Sequence, residues 1–476
     1  MTNRTKRDLR VSVTASRNCR AISLHLKKLG IAMVVFVALF IALPMTVQAY
    51  SHIVRVGLTR AFANRESIPI ANTSLFIVMD VEVGFIVIDE LHSSSGFTVR
   101  ASGSTVQLLS GNAVIHSFPT GYPAQVMGTD GDPVRISGYS YRGIMEFIPS
   151  SGRVSAVNVL SIEEYLFGVL PSEMSPGFHM EALKAQAVAA RTYTFNRIRR
   201  AESHRNQPFD MCDTACCQVY RGMDREHYRT NEAVMLTYGL MLFYNGQPII
   251  AQYFSSSGGA TENSEDVWGT MRPYARAVNE INEPNPRIWT RTFTWAQLTQ
   301  AANAAGARIG NVTGISITGL SAGGRATELT LHGTGGTGGT TWRTPNARTF
   351  FAPIGGALYS RMYTITGGGH TTPAVAVVSA DGYITAPLNS LQGLDRNGAI
   401  STIHHGYIYD GDTTRRVNAT PIVVTGGSGI TIHGRGWGHG VGMSQLGALG
   451  MANIGYTFIE ILMHYYTGVE LRWYQP

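Results

Sequence analysis

The stretch Met180–Arg200, MEALKAQAVAARTYTFNRIRR, predicts the clearest helix in this chain of 476 residues. Alanine has the highest helix propensity, and it recurs through the first half of the stretch. Glu181 lies in the first turn and Arg197, Arg199 and Arg200 lie near the end, where their charges suit the helix dipole. We therefore place a long helix here, with β-rich segments before and after it.

A lone carboxyl group precedes this helix in the apolar segment Gly168–Met174, GVLPSEM. A short helix, IEEYLFGVL, is predicted to stop at Pro171, and Glu173 follows. Loss of hydration in an apolar cleft raises a carboxyl pKa, and a protonated carboxyl can donate to a leaving-group oxygen. The alternative is a helix-capping glutamate or one in a salt bridge, with Arg191 as a partner.

Composition and charge favour an exported protein. Charged residues make up only 14% of the chain, and glycine is abundant at 53 residues. The formal net charge of +7 is accounted for by residues 1–30, and the rest of the chain is neutral. The excess charge therefore belongs to a tail and not to a nucleic-acid-binding face.

The apolar run Ile31–Val47 follows this basic tail and is just long enough to span a bilayer. Basic residues before it indicate that residues 1–30 are cytoplasmic. We predict an uncleaved signal-anchor, with cleavage after Val47–Ala49 as the alternative. Either way, we expect a single-pass protein of the cell membrane whose C-terminal part lies outside the cytoplasm.

The fold class is predicted as mixed α+β, a β-rich ectodomain with a few helices behind one N-terminal transmembrane helix. Residues 50–140 form a small β-rich region of short apolar runs split by turn residues. Residues 141–476 form the main domain, with a β-rich insertion at about 371–430. Three of the four cysteines fall in the window 212–217, and an odd number does not make a simple disulfide framework.

Four motifs follow one another in the main domain: EEYLFGVLPSEM with EALKAQAVAARTYTF, CDTACCQVYRG, YFSSSGGATENSEDVWG, and GRGWGHGVGMSQLGALGMA. Together they resemble the stage II sporulation protein D family, whose relatives include the amidase enhancers. The resemblance runs from about Tyr141 to the C-terminus. It implies a membrane-anchored lytic transglycosylase that cleaves peptidoglycan glycan strands between N-acetylmuramic acid and N-acetylglucosamine and leaves a 1,6-anhydro end.

The resemblance makes Glu173 the catalytic acid/base, because it is the glutamate of the PSEM motif. One carboxyl suffices in this chemistry, since the sugar's own 6-hydroxyl attacks in place of water or a second carboxylate. Glu163 and Glu164 are interpreted as structural. In the long helix, Lys184, Gln186 and Arg191 are candidate substrate-binding residues, with ordinary surface charge as the alternative for the two cations.

Zinc or a disulfide is expected at the cysteines. Some relatives bind zinc at this motif, often with histidine where this chain has Cys216. Cys212 and Cys217, with Cys216 and the nearest histidine, His204, are the candidate ligands. Adjacent cysteines seldom bind one metal together, so the alternative for Cys216 is that it has no role in the site. A disulfide from Cys212 to Cys217 or Cys216 is the alternative in an oxidising compartment.

The remaining candidate substrate contacts come from the last two motifs. Hydroxyl groups and one carboxylate could hold sugar hydroxyl or N-acetyl groups, and an indole could stack on a pyranose ring. The residues are Ser255, Ser256, Ser257, Glu262, Trp268, His439 and Gln445. An ordinary turn and a structural histidine are the alternatives.

Two other functions remain open. The first is a non-catalytic module that binds wall glycan and enhances a cell-wall amidase. The second is a cysteine peptidase that uses Cys217 or Cys216 with His439. The expected partners are peptidoglycan strands, the membrane through residues 31–47, and a cell-wall amidase or sporulation proteins.

Overall fold

The computed structural model describes residues 53–81, 84–121, 123–200, 204–367 and 423–474, together with the backbone of short strands between 374 and 417. The predicted tail 1–30 and membrane segment 31–47 lie outside these residues. Within the described part of the chain, no helix has both the length and the apolar character needed to cross a membrane.

Seven α-helices occur among the described residues: α1 Ile162–Glu173, α2 Met180–Arg200, α3 Tyr228–Leu236, α4 Glu265–Trp268, α5 Trp295–Ala304, α6 Gln445–Asn453 and α7 Phe458–Tyr465. The strands of the first half are β1 Ile53–Gly57, β2 Ser67–Ile70, β3 Ser74–Val81, β4 Gly84–His92, β5 Phe97–Ser102, β6 Thr105–Ser110, β7 Ala113–Phe118, β8 Ala124–Gly128, β9 Val134–Ile136, β10 Tyr139–Tyr141, β11 Ile144–Ser150, β12 Arg153–Ser161, β13 Met211–Cys212, β14 Leu240–Tyr244, β15 Gln247–Pro248 and β16 Tyr253–Phe254.

The later strands are β17 Ile288–Thr294, β18 Val312–Leu320, β19 Ala326–Gly333, β20 Thr341–Thr344, β21 Tyr363–Thr366, β22 Ala374–Ser379, β23 Gly382–Pro387, β24 Gln392–Leu394, β25 Ile400–Thr402, β26 Gly406–Tyr409, β27 Thr414–Val417, β28 Val424–Thr425, β29 Gly429–Arg435, β30 Met443–Ser444 and β31 Glu470–Trp473. The mixed, β-rich fold class is thus confirmed. The backbone of β22 to β27 forms three antiparallel hairpins inside the predicted insertion.

Strands from both sides of the predicted boundary at residue 140 share one sheet. Its order is β13-β1-β12-β11-β8-β3-β4, so β11 and β12 join strands of the N-terminal region. A six-stranded sheet, β10-β9-β2-β5-β6-β7, lies in the N-terminal region alone. The division into residues 50–140 and 141–476 remains a prediction about the sequence.

Helix α1 begins at a capping box and ends at the candidate acid. The Ser161 hydroxyl accepts a hydrogen bond from the Glu164 N–H, and the Glu164 carboxylate accepts from the Ser161 N–H, both at 3.2 Å. The prediction that Pro171 stops this helix is wrong. Proline removes one N–H donor near the end of a helix that is otherwise well anchored, so the helix runs on to Glu173.

Helix α2 is buried on almost every side, as its alanines allow. Its first eleven residues include five alanines and one leucine that are fully buried, and these belong to a core shared by α1, α3, α6, α7 and β14. A second core lies between residues 289 and 432 and is built on the sheets β17-β29-β21 and β20-β19-β18-β28. Glu173, the candidate acid, lies at the edge of the first core.

Candidate active site

The Glu173 side chain is held by the loop that follows the cysteine motif. Its Oε1 accepts a hydrogen bond of 2.8 Å from the backbone N–H of Val219. Burial raises the pKa of Glu173, and hydrogen bonds from Val219 and Gln445 and the charge of Arg221 offset part of that rise. The carboxyl is therefore protonated more readily than an exposed glutamate, as the sequence led us to expect.

Gln445 reaches Glu173 because two distant segments pair. Strand β16 runs parallel to β30, with Tyr253 opposite Met443, and Gln445 begins the helix that follows β30. The Gln445 Nε2 atom lies buried without a hydrogen bond of normal geometry among the described residues. Gln445 thus approaches the acid closely enough to act on its pKa, and substrate binding by Gln445 remains a prediction.

Tyr253 adds a phenol to the same wall, a residue that sequence reasoning missed. Its pKa is raised well above the usual value by burial first and then by the charge of Glu173. The Tyr253 hydroxyl accepts a hydrogen bond of 3.0 Å from the Gln218 Nε2. The signal in the sequence that could have pointed to Tyr253 is its position directly before the serine residues of the third motif.

Arg191 does not contact Glu173, and the expectation that it steadies the acid or holds substrate is corrected. Its side chain is 0% exposed and forms two hydrogen bonds of 2.7 Å with Glu163. It also donates to the carbonyl oxygens of Val234 and Leu240, at 3.1 and 3.2 Å. Arg191 and Glu163 therefore join α1, α2 and α3 inside the core.

The other two candidates of α2 are also drawn into the fold. The Lys184 Nζ pairs with Glu181 at 2.7 Å, and Glu181 in turn accepts from the N–H of Phe458. Gln186 is fully buried, and neither amide atom has a hydrogen-bond partner among the described residues. Glu181 thus fastens α2 to α7 with Lys184 as its ion-pair partner, whereas a substrate role for Gln186 remains a prediction.

The serine loop, Ser255–Gly259, is held by hydrogen bonds to a carboxylate that sequence reasoning missed. Glu283 accepts hydrogen bonds from the hydroxyls of Ser256 and Ser257, at 2.6 and 2.9 Å, and from the N–H groups of Ser257 and Gly258. These two hydroxyls shape the loop and do not point to a ligand, which corrects the expectation for them. Sugar binding by Ser255 remains a prediction.

Glu262 is also part of the framework. It is 0% exposed, accepts 2.5 Å from the Ser321 hydroxyl, and lies 3.5 Å from Arg361. This pair connects the serine motif to the second core. The expectation of a sugar contact at Glu262 is corrected, because a side chain buried in this way cannot reach a ligand.

His439 and Trp268 lie against each other, with ring centroids 5.0 Å apart. The His439 Nδ1 accepts a hydrogen bond of 3.1 Å from the Val441 N–H. Burial lowers the pKa of His439 to about 3, and the charges of Arg348 and Arg325 add to this effect. His439 is therefore neutral at physiological pH, and a substrate contact by it remains a prediction, while Trp268, 42% exposed, keeps a surface that a sugar ring could cover.

The cysteine cluster, His204, Cys212, Cys216 and Cys217, brings four potential ligand atoms within 4.8 Å of one another. All three cysteines are free, so the disulfide alternative is not formed here, and Cys216 joins the set instead of lying apart. Three sulfurs and one imidazole are donors typical of a tetrahedral zinc site, in which sulfurs lie about 3.8 Å apart. The residues present therefore fit a zinc ion.

The electrostatics of the cluster suit a metal. A hydrogen bond from Cys217 lowers the pKa of Cys212 to about 4, so that a thiolate is present at neutral pH. The His204 Nε2 lies 3.2 Å from the Cys217 Sγ. The histidine beside the thiols is thus His204 and not His439, which removes the geometry that the cysteine peptidase hypothesis required.

The cluster and the acid share one loop. Cys217 lies two residues before Val219, whose N–H holds Glu173. Arg221, whose charge acts on Glu173, also donates 2.7 Å to the carbonyl of Asp213 inside the same loop. Whatever fixes the cysteine cluster therefore also fixes the donor to the carboxyl.

Several known proteins are similar to this chain in sequence. A family model described as stage II sporulation protein matches residues 150–244, which include Glu173 and the cysteine motif. Stage II sporulation protein D of Bacillus subtilis is 30% identical over 334 residues, 66% of this chain and 76% of that protein. An uncharacterised protein of Brachyspira hyodysenteriae is 30% identical over 342 residues, 71% of this chain and 74% of that protein.

An amidase enhancer of Bacillus subtilis is also similar. It is 32% identical over 316 residues, which cover 65% of this chain and 40% of the enhancer. The similarity to the sporulation protein extends over most of both chains and includes the site built around Glu173. The chain therefore belongs to the stage II sporulation protein D family.

Proposed function

We propose that this protein is a lytic transglycosylase of the peptidoglycan glycan strand, with Glu173 as its only acid/base, and that it works in cell-wall remodelling during sporulation. The observation that carries the proposal is the half-buried Glu173 carboxyl, whose pKa is raised by burial and whose Oε1 is already bound to a backbone N–H. A carboxyl held in this way has one oxygen left for proton transfer.

The chemistry follows from that geometry. The Val219 N–H occupies Oε1, so Oε2 carries the proton and gives it to the bridging oxygen between N-acetylmuramic acid and N-acetylglucosamine. The bond from the muramic acid C1 to that oxygen breaks, and N-acetylglucosamine leaves with the proton. The 6-hydroxyl oxygen then bonds to C1, and its proton returns to Oε2. No water is consumed, so no second carboxylate is needed.

The wall around the acid serves this cycle. Burial favours the protonated form before the first step, and the Val219 N–H stabilises the carboxylate between the steps. Gln445, whose amide already acts on the pKa of Glu173, can hydrogen-bond either Oε2 or a sugar oxygen beside it. A zinc ion held by His204, Cys212, Cys216 and Cys217 would supply structural support to the loop that carries Val219.

The setting belongs to the same proposal. Residues 31–47 would anchor the chain in the cell membrane, with the site outside the cytoplasm and peptidoglycan strands as its partner. Similarity to an amidase enhancer supports a cell-wall amidase as a companion protein. It also supports the second candidate function, a non-catalytic module that binds glycan and enhances such an amidase.

Mass spectrometry of digested glycan separates these functions. Purified full-length protein would be incubated with intact and with amidase-stripped peptidoglycan, alongside Glu173→Gln and a control, Glu164→Gln, which alters a capping carboxylate of the same helix. Anhydro-muramyl ends made by the wild type and the control, but not by Glu173→Gln, are the expected result.

Other products would overturn the proposal. Ends that have gained water would indicate a hydrolase, and no cleavage with glycan binding intact in all three proteins would leave the enhancer module. Anhydro ends made equally by Glu173→Gln would show that another residue is the acid.

A further inference from the structure

An exposed tryptophan lies beside the serine loop and plays no part in the proposed chemistry. The Trp437 side chain is 41% exposed and lies in the glycine-rich segment GRGWGHGVG. Tyr359 stacks on one face of its ring, with centroids 4.1 Å apart and planes 13° from parallel. The Tyr359 contact holds the indole in one orientation, so the exposed part of the ring is presented at little cost in conformational entropy.

The backbone places this indole at the rim of the candidate active site. Trp437 and Ser256 exchange hydrogen bonds, with N···O distances of 2.7 and 3.1 Å. Ser256 lies three residues after Tyr253, which senses the charge of Glu173, and three residues span at most about 11 Å. A glycan strand bound at Glu173 would therefore reach Trp437 within a few sugar residues.

Cations flank the exposed ring. The Arg287 guanidinium lies 5.6 Å from the Trp437 ring centroid, and its side chain is exposed. Arg435, also exposed, pairs across the sheet with Ile288, the residue next to Arg287. The nearby carboxylate of Glu283 faces the serine loop, which donates four hydrogen bonds to it. The rim therefore combines a flat apolar face with positive charge.

We propose that Trp437 and Arg287 form an accessory subsite for the glycan strand, which rests on the proposed function. Arg287, which lies over the second face of the Trp437 indole, swings aside to bind a carboxylate carried by the glycan strand, and a pyranose ring takes its place on that face through its C–H groups. Two sources supply that carboxylate: the lactyl group of a muramic acid without a peptide, or the stem peptide where one is attached. An apolar protein partner would use the ring but would have no need of the cations.

The test measures binding without cleavage. Full-length Glu173→Gln protein would be titrated with soluble glycan strands, either amidase-stripped or peptide-bearing. The same titration would be made with proteins that carry Trp437→Ala or Arg287→Gln as a second substitution. Trp473→Ala and Arg472→Gln are matched controls, because Trp473 is 70% exposed and both residues lie on β31. We expect Trp437→Ala to weaken binding of both strands on the order of tenfold, the effect of one lost aromatic contact with its neighbouring charge.

The Arg287→Gln variant identifies the carboxylate and leaves the stacked rings in place. Weaker binding of amidase-stripped strands alone assigns the lactyl group, and weaker binding of peptide-bearing strands alone assigns the stem peptide. An equal loss for both strands, or none, overturns the carboxylate role. Binding by Trp437→Ala equal to that of Trp473→Ala overturns the subsite. Because no cleavage is measured, these outcomes do not depend on whether the protein is an enzyme, and unchanged melting curves exclude misfolding.

Discussion

Replacing Arg191 by methionine tests whether the buried ion pair holds the helices around the site together. The substitution keeps much of the side-chain volume but removes the charge and leaves the Glu163 carboxylate buried and unpaired. Two hydrogen bonds of 2.7 Å to Glu163 are lost, with the bonds to the carbonyls of Val234 and Leu240. Removal of one partner of a buried pair costs about 3–5 kcal/mol.

This loss is large against the whole stability of a protein, which is about 5–15 kcal/mol. Urea unfolding followed by circular dichroism should therefore show a clearly lower midpoint for Arg191→Met with an unchanged slope. Arg472→Met is the matched control, because Arg472 and Glu470 form a pair whose side chains are 54% and 56% exposed. An exposed pair contributes at most about 1 kcal/mol.

The double variant Arg191→Met, Glu163→Leu removes the unpaired charge and should recover about 1–3 kcal/mol relative to Arg191→Met. The reasoning fails if Arg191→Met unfolds at the same urea concentration as Arg472→Met. A higher KM for glycan with unchanged stability would return Arg191 to the substrate-binding role that the sequence suggested.

Three further predictions concern the metal, a glycine and the pH dependence. Purified protein should hold one equivalent of zinc by elemental analysis, and Cys212→Ser should lose it while Cys19→Ser keeps it; equal zinc in both variants would contradict the cluster. Gly450→Ala should cost about 3 kcal/mol or more, because a Cβ there would overlap a backbone carbonyl oxygen, whereas Gly177→Ala, with only one distant neighbour, should be nearly neutral in the same urea titration. Burial raises the pKa of Glu280 from 4.5 to about 7, so the folded state binds a proton that the unfolded state releases, and stability should fall by roughly 3 kcal/mol as the pH rises from 4.5 to 7. Glu280→Gln should lack this part of the pH dependence, and identical curves for the two proteins would refute it.

Local features of the fold could be predicted from the sequence because neighbouring residues determine them. Helix α2 occupies the predicted residues, since alanine propensity and end charges act within one segment. Pro171 was misjudged because the capping of the helix start outweighs one missing donor near its end.

The partner of Arg191 could not be predicted, because two glutamates of α1 compete for it. Glu163 and Glu173 are ten residues apart, and ten residues turn an α-helix by about 1000°, which leaves the two side chains roughly 80° apart around the axis. Arg191 can pair with only one of them, because ten residues also separate them by about 15 Å along the helix axis. Which one it pairs with depends on how α1 packs, and the sequence of α1 alone does not contain that information.

The same limit applies to the serine loop. The SSSGG segment has the composition of a sugar-binding loop or of an ordinary turn, and Glu283, which decides between them for Ser256 and Ser257, lies more than twenty residues away in the sequence. The cysteine cluster differs, because three of its four ligands fall within six residues. Its ligand types were therefore accessible to sequence reasoning, and only the role of Cys216 needed the structure.

The parallel pairing of β16 with β30 has a consequence for the time at which the site can work. Glu173 and Val219 are made first, and Gln445 follows more than two hundred residues later in the chain. At roughly 5–20 residues per second, the ribosome needs some tens of seconds to pass from one to the other. Until then the acid has an open flank and no partner from the last motif. A nascent chain that has not yet reached the last motif therefore carries an unfinished site, and the site is complete only once that motif has been made.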